Sequence, residues 1–260
     1  MTSFTGSDDL QAATFSDVNL EAATFSDVNL RRARFTNADL GGVVMRAVGL
    51  AGADLDAPWL LDGERSLLVN GVDVAPLVEA ELVKRFPGRA GRRPTDPEGL
   101  RENWAALERA WAAILARVAI MTEGTADESV DGEWSFAQTL RHLVLATDVW
   151  LRKAVLGIRR PFHPLGQPHS EYETDGYDLS IFTEGTPSYE SVLAARAGRV
   201  AMVRTFIASA TPEDLLIPRA NPWAPEYPET TLSCLRTILE EEWEHLRYAT
   251  RDLDALQASA

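Results

Sequence analysis

The sequence predicts a two-part α+β protein, in which a short coiled repeat segment precedes a bundle of four helices. Two observations lead to this fold class. As far as about residue 57 the chain repeats every five residues, a period that neither a helix nor a strand has. From residue 96 the apolar residues recur every three or four positions, as in amphipathic helices. With 260 residues, 45% of them hydrophobic, the chain can bury one large core or two smaller ones.

Large apolar side chains define the five-residue repeat, and small or β-branched ones stand two positions before them. The large ones are Leu10, Phe15, Leu20, Phe25, Leu30, Phe35, Leu40, Met45, Leu50 and Leu55. This spacing suits a square-sided solenoid and resembles the pentapeptide-repeat family, whose chains coil as a right-handed β-helix. With roughly four repeats per coil, the segment would make only about two and a half coils. We expect this repeat domain to span residues 1–60.

Residues 61–95 are predicted to form a connector. The pairs Asp62-Gly63 and Asn70-Gly71 are typical of hairpin turns. A short helix is expected at Val74–Phe86, and the basic, Gly- and Pro-bearing stretch 87–94 is typical of an exposed loop.

Four longer helices are predicted for residues 96–260, which we expect to form a four-helix bundle. Asp96 with Pro97 suits the start of the first helix, and Ser135 with Gln138 has the spacing of a capping box at the start of the second. The predicted helices cover residues 96–121, Ser135–Leu156, Ser188–Ala210 and Glu229–Leu256. The loop 157–187 is long for a compact domain, which is typical of a functional or lid-like segment.

Charge and cysteine content limit the classes of function. Lys and Arg number 25 against 39 Asp and Glu, a net charge of -14, which argues against binding to nucleic acid or to an anionic membrane. The single cysteine, Cys234, excludes an intrachain disulfide and any zinc site that needs two thiolates. Met1–Leu10 lacks the pattern of a signal peptide, and no apolar run reaches the ~20 residues of a membrane helix. We therefore expect a cytoplasmic protein.

A candidate metal site combines residues of two predicted helices. Glu241 and His245, at i and i+4, share one helix face and form a two-ligand arm for a divalent ion. Glu242, at i and i+3 with His245, is the alternative carboxylate. His142, in the middle of the second helix, is the candidate third ligand. A solvated acidic face and a hydrogen-bonded core histidine are the structural alternatives to this site.

Two motifs resemble the DinB-like superfamily, over about residues 96–256. GEWSF at residues 132–136, followed by LRHL at 140–143, resembles its second helix, and Glu241 with His245 resembles its last. The resemblance implies a four-helix bundle that binds one divalent ion through three side chains. Many members use three histidines, whereas the branch of mycothiol-dependent maleylpyruvate isomerase uses His, Glu and His. Carried over, the ligands are His142, Glu241 and His245.

The resemblance also implies a chemistry. We expect Zn²⁺, with Ni²⁺, Fe²⁺ or Mn²⁺ as alternatives, and mycothiol or another low-molecular-weight thiol as cosubstrate. The protein would be an S-transferase or isomerase acting on a small electrophilic molecule. A metal-dependent hydrolase needs the same three ligands, and a non-catalytic interaction protein whose solenoid binds a partner is the alternative from another class. Bundles of this kind often dimerise, so a homodimer is expected.

Other residues are weaker site candidates. His163 and His169 lie in the loop 157–187 and are candidates for a general acid or base, with loop packing as the alternative. The candidates for substrate contact are Tyr172, Tyr177, Trp223 and Arg247. Cys234 is expected to be a small buried hydrophobe. An enzyme should show a cleft at the three ligands, walled by the loop 157–187; in a scaffold the cleft should be filled.

Overall fold

The chain forms two compact units. The computed structural model describes residues 4–5, 10–58, 60, 67–169, 172–173 and 175–259. One unit is Met1–Leu55 and the other is Asp56–Ala260. The domain limits proposed from the sequence, at residues 60 and 95, stay predictions. Among the helices of the described ranges, none is both long enough and apolar enough to cross a membrane.

The repeat segment is a regular series of turns. After every second large apolar residue the chain turns, closed by a backbone hydrogen bond such as that from the Ala13 amide to the Leu10 carbonyl, 3.1 Å. The third residue of each turn has positive φ; these are Ala12, Ala22, Arg32, Gly42 and Gly52. Midway between these turns, Asp17, Asp27, Asn37 and Ala47 also have positive φ. Successive five-residue units therefore alternate between two conformations, and the structural period is ten residues.

The structure shows no closed solenoid over residues 10–55. None of these residues is buried and none lies in a strand, and Phe15 and Phe25 are 55% and 60% exposed. The repeats are present, but the predicted right-handed β-helix is not formed by the residues described. Apolar side chains five residues apart become buried only when coils stack on one another, and about two and a half coils supply few neighbours.

A hairpin and a short helix begin the connector of the second unit. Strands β1 (Leu68–Val69) and β2 (Val72–Asp73) pair antiparallel around Asn70-Gly71, whose two positive φ angles, 50° and 82°, give the predicted hairpin turn. Helix α1 (Ala75–Arg85) lies within the predicted range. The predicted turn at Asp62-Gly63 lies outside the described residues.

Four long helices and one short helix follow, and capping side chains determine where the first two begin. Helices α2 to α6 are Pro97–Val118, Phe136–Thr147, Tyr189–Ser209, Pro212–Leu215 and Thr231–Ser259. The Asp96 carboxylate accepts a hydrogen bond from the Gly99 amide, and Ser135 forms the predicted capping box with Gln138. Helix α6 starts later than predicted because Pro228–Thr230 forms strand β4, paired with β3 (Pro218–Ala220).

The second predicted helix changes its hydrogen bonding before it ends. After α3, residues Asp148–Val155 form a π-helix. Its bonds span five residues, as in the 2.8 Å bond from the Leu156 amide to the Leu151 carbonyl. Asp148 is fully buried at the start of this segment, where Arg199 of α4 binds it at 2.6 Å.

The helices α2, α3, α4 and α6 share one apolar core, the packing expected of a four-helix bundle. Its buried residues include Leu107, Trp111, Leu140, Leu143, Val203, Ile207, Leu239 and Trp243. Cys234 is fully buried in the same core, which confirms its predicted role as a small hydrophobe. This core places one side of α3 against one side of α6, and the candidate metal ligands lie there.

The connector is held against α2 and α6 by a close approach of its backbone. The Gly88 carbonyl accepts a hydrogen bond from the Asn103 side chain, which in turn accepts one from the Trp243 indole. A Cβ at Gly88 would lie 2.5 Å from the Ala106 Cβ, and the backbone φ angle of Gly88 is +104°. Only glycine fits this position without displacing α2.

Candidate metal centre

Helices α3 and α6 bring His142, Glu241 and His245 together. One ligand atom from each residue lies within 4.8 Å of the others. The Glu241 Oε2 atom is 3.4 Å from His142 Nε2 and 3.3 Å from His245 Nδ1. The carboxylate therefore stands between two imidazoles, in the i, i+4 relation that the sequence predicts on α6 and with the third residue from α3.

Ring packing fixes the orientation of the two imidazoles. Their centroids are 4.7 Å apart at an interplanar angle of 26°. The Trp134 ring lies 4.7 Å from the His142 ring and 6.3 Å from the His245 ring, and Tyr248 meets His245 edge-on at 5.6 Å. Trp134 immediately precedes the capping residue of α3, so the start of that helix also positions the site.

Backbone carbonyl groups hold one nitrogen of each imidazole. His142 Nδ1 is 3.1 Å from the Gln167 carbonyl oxygen, and His245 Nδ1 is 2.9 Å from the Glu241 carbonyl oxygen. A carbonyl only accepts, so each of these contacts requires a proton on Nδ1. In His142 the other nitrogen, Nε2, faces Glu241, and a hydrogen bond from the nitrogen that does not bind the ion is the usual support of a histidine ligand. In His245, Nδ1 lies near both the carbonyl oxygen and the carboxylate Oε2 of Glu241.

The cluster combines burial with a negatively charged carboxylate. The side chains of His142 and His245 are 14% and 12% exposed, and that of Glu241 is 30% exposed. Burial raises the pKa of Glu241, but the hydrogen bond and charge of His142 and the charge of His245 outweigh it and bring the pKa to about 2. Burial, followed by the charge of His142, lowers the pKa of His245 to about 4. At neutral pH the cluster therefore holds a carboxylate beside a neutral His245.

A cavity of about 100 Å³ opens at this cluster. It is lined by His142, Leu145, Ala146, Val149, Trp150, His169, Trp223 and Glu241. A water molecule needs about 10–15 Å³ of such space, so the cavity has room for several waters or a small reacting group. His169 comes from the loop 157–187, so that loop contributes to the cavity wall, as expected for an enzyme. Trp223 comes from the loop between β3 and β4.

The predicted aromatic candidates form one cluster beside this cavity. Trp223 is in the cavity wall, and Tyr177 and Tyr172 meet it edge-on at 4.9 Å and 6.1 Å. Tyr172 is only 2% exposed, with Phe182 edge-on at 5.6 Å. The two tyrosines support the wall from behind, while Trp223 and His169 face the cavity.

Two predicted candidates lie elsewhere in the described structure. His163 accepts a hydrogen bond from the Leu165 amide, its own amide binds Asp148, and it is not among the residues that line the cavity. Burial and the nearby Arg199 lower its pKa. Arg247 is bound through both terminal nitrogens, each at 2.7 Å, by the Asp56 carboxylate. Neither placement supports a role at the candidate metal centre.

Glu242, the alternative ligand, is already paired with an arginine. Its carboxylate is 1% exposed and receives hydrogen bonds from Arg196 of α4, one of them 2.6 Å long. Burial raises the pKa of Glu242, and the Arg196 charge opposes that rise. Glu241, and not Glu242, is therefore the carboxylate that faces the histidines.

Several contributors to the site were not predicted from the sequence, among them the Gln167 carbonyl, Val149 and Trp150. A main-chain carbonyl leaves no signal in side-chain identity, and the loop that carries Gln167 has no periodicity. Val149 and Trp150 lie in the π-helical segment, where the helical period assumed for the second helix does not apply.

Comparison with protein families matches two parts of the chain. The family model of the DinB superfamily matches residues 106–249, more than half of the chain. Pentapeptide repeats match residues 9–46, in eight copies. Comparison with curated proteins and with solved structures gave no match.

Proposed function

The chain belongs to the DinB superfamily, and from this premise we propose that it is a divalent-metal-dependent enzyme that joins a low-molecular-weight thiol to a small electrophilic molecule or uses the thiol to isomerise it. One observation carries the proposal. His142, Glu241 and His245 converge within 4.8 Å at a cavity whose wall includes His169. Three ligands beside open space are the arrangement of a catalytic ion and not of a structural one.

The donor set fits a divalent transition ion. Two imidazole nitrogens and one carboxylate suit Zn²⁺ first, and also Fe²⁺, Ni²⁺ or Mn²⁺. Both imidazoles are oriented by carbonyl groups, and the carboxylate charge is not balanced by an arginine or lysine in the described structure. When bound, such an ion supplies Lewis-acid chemistry, since it lowers the pKa of a thiol or water that it coordinates.

The protein's own groups would handle the proton and exclude water. Leu145, Val149, Trp150 and Trp223 give the cavity apolar walls, which limit the entry of bulk water. His169 Nε2 lies 3.4 Å from Asp175 Oδ2, which orients the ring. In the proposed reaction the thiol proton passes to His169, the sulfur bonds to the electrophilic carbon, and the proton returns to the product.

Several expectations from the sequence complete the proposal. The thiol would be mycothiol or a similar molecule, and the protein would act in the cytoplasm on a small molecule, as a homodimer. The repeat segment would close into its right-handed β-helix when its coils stack. The exposed apolar series supports this part of the proposal, because stacking would bury side chains such as Phe15 and Phe25.

Elemental analysis of the untagged protein tests the metal site. We expect about one equivalent of a transition metal per chain, lost in His245→Ala. His163→Ala is the matched control, because it removes an imidazole outside the cluster and should keep the metal. The absence of metal in all three proteins after incubation with Zn²⁺, Ni²⁺ and Fe²⁺ would refute the proposal.

Activity screening then tests the reaction class. The metal-loaded protein should consume an electrophile such as maleylpyruvate only when a thiol is present, and His169→Ala should slow the reaction while the metal content is kept. Turnover that needs water and no thiol would instead indicate a metal-dependent hydrolase.

A further inference from the structure

A second and larger cavity lies where α3 and α4 begin. Its volume is about 430 Å³, and none of the three candidate metal ligands lines it. Ser135 and Gln138 of the α3 capping box and Pro187 before α4 are in its wall. Gln167 also lines it, and the carbonyl of that residue holds His142. This volume is within the range of small-molecule sites, ~300–1,000 Å³.

One buried cation in this wall has no anionic partner. Arg141 of α3 is 7% exposed and lines the cavity. Its Nε donates a 3.0 Å hydrogen bond to the Leu165 carbonyl, and within the described ranges its terminal nitrogens have no protein partner and no carboxylate within 4 Å. These terminal nitrogens are not sealed from solvent, and Arg141 lines the cavity, so they face it. Burial lowers the pKa of Arg141.

The remaining wall suits an anion that carries an apolar portion. The starts of two long helices face the cavity, and the partial positive charge there favours an anion. Gln138, whose side-chain oxygen is used in the capping box, and the hydroxyls of Thr183 and Thr186 offer further donors. Phe182 and Val192 give apolar surface on the same wall.

The acidic side chains of the wall limit the charge that a ligand can carry. Asp127 and Glu184 also line the cavity, so the wall holds two acidic groups and one guanidinium. The two acidic groups repel any anion, and HPO₄²⁻ more strongly than a monoanion. The attraction therefore has to come from a close pair with the guanidinium, which a monocarboxylate forms through two parallel hydrogen bonds.

We propose that this cavity is a binding site for a small monocarboxylate, whose carboxylate pairs with Arg141 and whose apolar portion contacts Phe182 and Val192. The site is separate from the candidate metal centre and does not depend on the proposed reaction. A ligand there would also contact Gln167, the residue whose carbonyl orients His142.

Calorimetric titration tests the site with three probes. Hexanoate supplies the carboxylate and an apolar chain, hexanamide has the same shape without the charge, and inorganic phosphate supplies charge without the chain. We expect saturable binding of hexanoate, with hexanamide and phosphate at least about tenfold weaker, since the charge-assisted pair is lost or opposed.

Variants locate the binding. Arg141→Gln should weaken hexanoate about tenfold or more, whereas Arg101→Gln should change it less than about twofold. Arg101 is the matched control, because its guanidinium also donates to a backbone carbonyl, that of Ala210, but lines neither cavity. His245→Ala should keep hexanoate binding, which separates this site from the metal centre.

A variant that binds hexanoate more tightly excludes misfolding as the cause of a changed affinity. Glu184 is exposed, so Glu184→Gln should fold normally. The loss of its negative charge should make the binding of hexanoate about two- to threefold tighter. Glu226→Gln is the control, because Glu226 lines neither cavity and its loss should leave the affinity unchanged. Any of four results would overturn the proposal. They are equal binding of hexanoate and hexanamide, unchanged affinity in both Arg141→Gln and Glu184→Gln, tighter binding of phosphate than of hexanoate, and the absence of any saturable binding.

Discussion

Two neighbouring glutamates on α6 occupy opposite electrostatic environments. On one face, here called the ion-pair face, Glu242 is 1% exposed and is neutralised by Arg196. On the other, here called the ligand face, Glu241 is 30% exposed and meets two imidazoles. Consecutive helical residues differ by about 100° in direction, so one step along the chain separates a carboxylate with a permanent cation from one without. Only the carboxylate without a protein cation beside it, that of Glu241, is able to bind a cation from solution.

The ion-pair face joins α4 to α6 inside the core. The Arg196 guanidinium also lies 5.8 Å from the Trp111 ring of α2, so three of the four bundle helices meet there. A pair so deeply buried is sensitive to the loss of either partner, because the other is left as an unpaired charge away from water. On the ligand face, no arginine or lysine of the described ranges pairs with Glu241, so loss of that carboxylate should affect stability less.

The largest effect on stability is expected for Glu242→Gln. It leaves Arg196 without a counter-charge, so the free energy of unfolding should fall by about 3–5 kcal/mol. Urea denaturation measures it. Glu240→Gln is the matched control, because it breaks a surface pair with Arg93, 3.1 Å long, and such pairs contribute about 1 kcal/mol or less. Equal losses in the two variants would show that burial of the pair has no special consequence.

An intermediate effect concerns Cys234, two helical turns before Glu241. Burial raises the pKa of its thiol from 9.0 to about 11. The unfolded chain therefore ionises this thiol first, so stability is kept below pH 9 and declines between pH 9 and 11, by about 2 kcal/mol in total. Cys234→Ala should remove this part of the alkaline slope. Unfolding curves at a series of pH values would contradict the prediction if parent and variant declined in parallel.

The smallest effect on stability is expected for Glu241→Gln. The side chain is partly exposed and has no buried cation to abandon, so the free energy of unfolding of the metal-free protein should change by about 1 kcal/mol or less. The same variant should lose its transition metal in elemental analysis. A loss of stability as large as that of Glu242→Gln would assign Glu241 a structural role and remove the contrast between the two faces.

Much of the bundle could be predicted from the sequence because its signals are local. Capping residues such as Ser135 with Gln138 determine helix starts, and apolar spacing determines the faces that become buried. The i, i+4 relation of Glu241 and His245 needed only a helix to be recognised. Spacing alone left Glu242 open as a ligand, and the buried Arg196, 46 residues earlier, decided between the two.

The features that escaped prediction depend on long-range or main-chain contacts. The support of His142 comes from a carbonyl 25 residues later. That Arg141 has no carboxylate partner among the described residues depends on the folded positions of acidic groups far apart in the sequence. The repeat segment shows the converse case. Its period is unmistakable, yet a period does not specify whether successive coils stack.

The π-helical segment Asp148–Val155 determines which side chains reach the cavity beside the candidate metal centre. Its wider winding accommodates one extra residue, so deletion of one residue there would restore the ordinary helix and leave the direction of the chain after it nearly unchanged. The directions in which Val149 and Trp150 project would change instead. In a comparison of gene sequences, a gap of one codon in this stretch would therefore mark an altered cavity wall on an otherwise unchanged bundle.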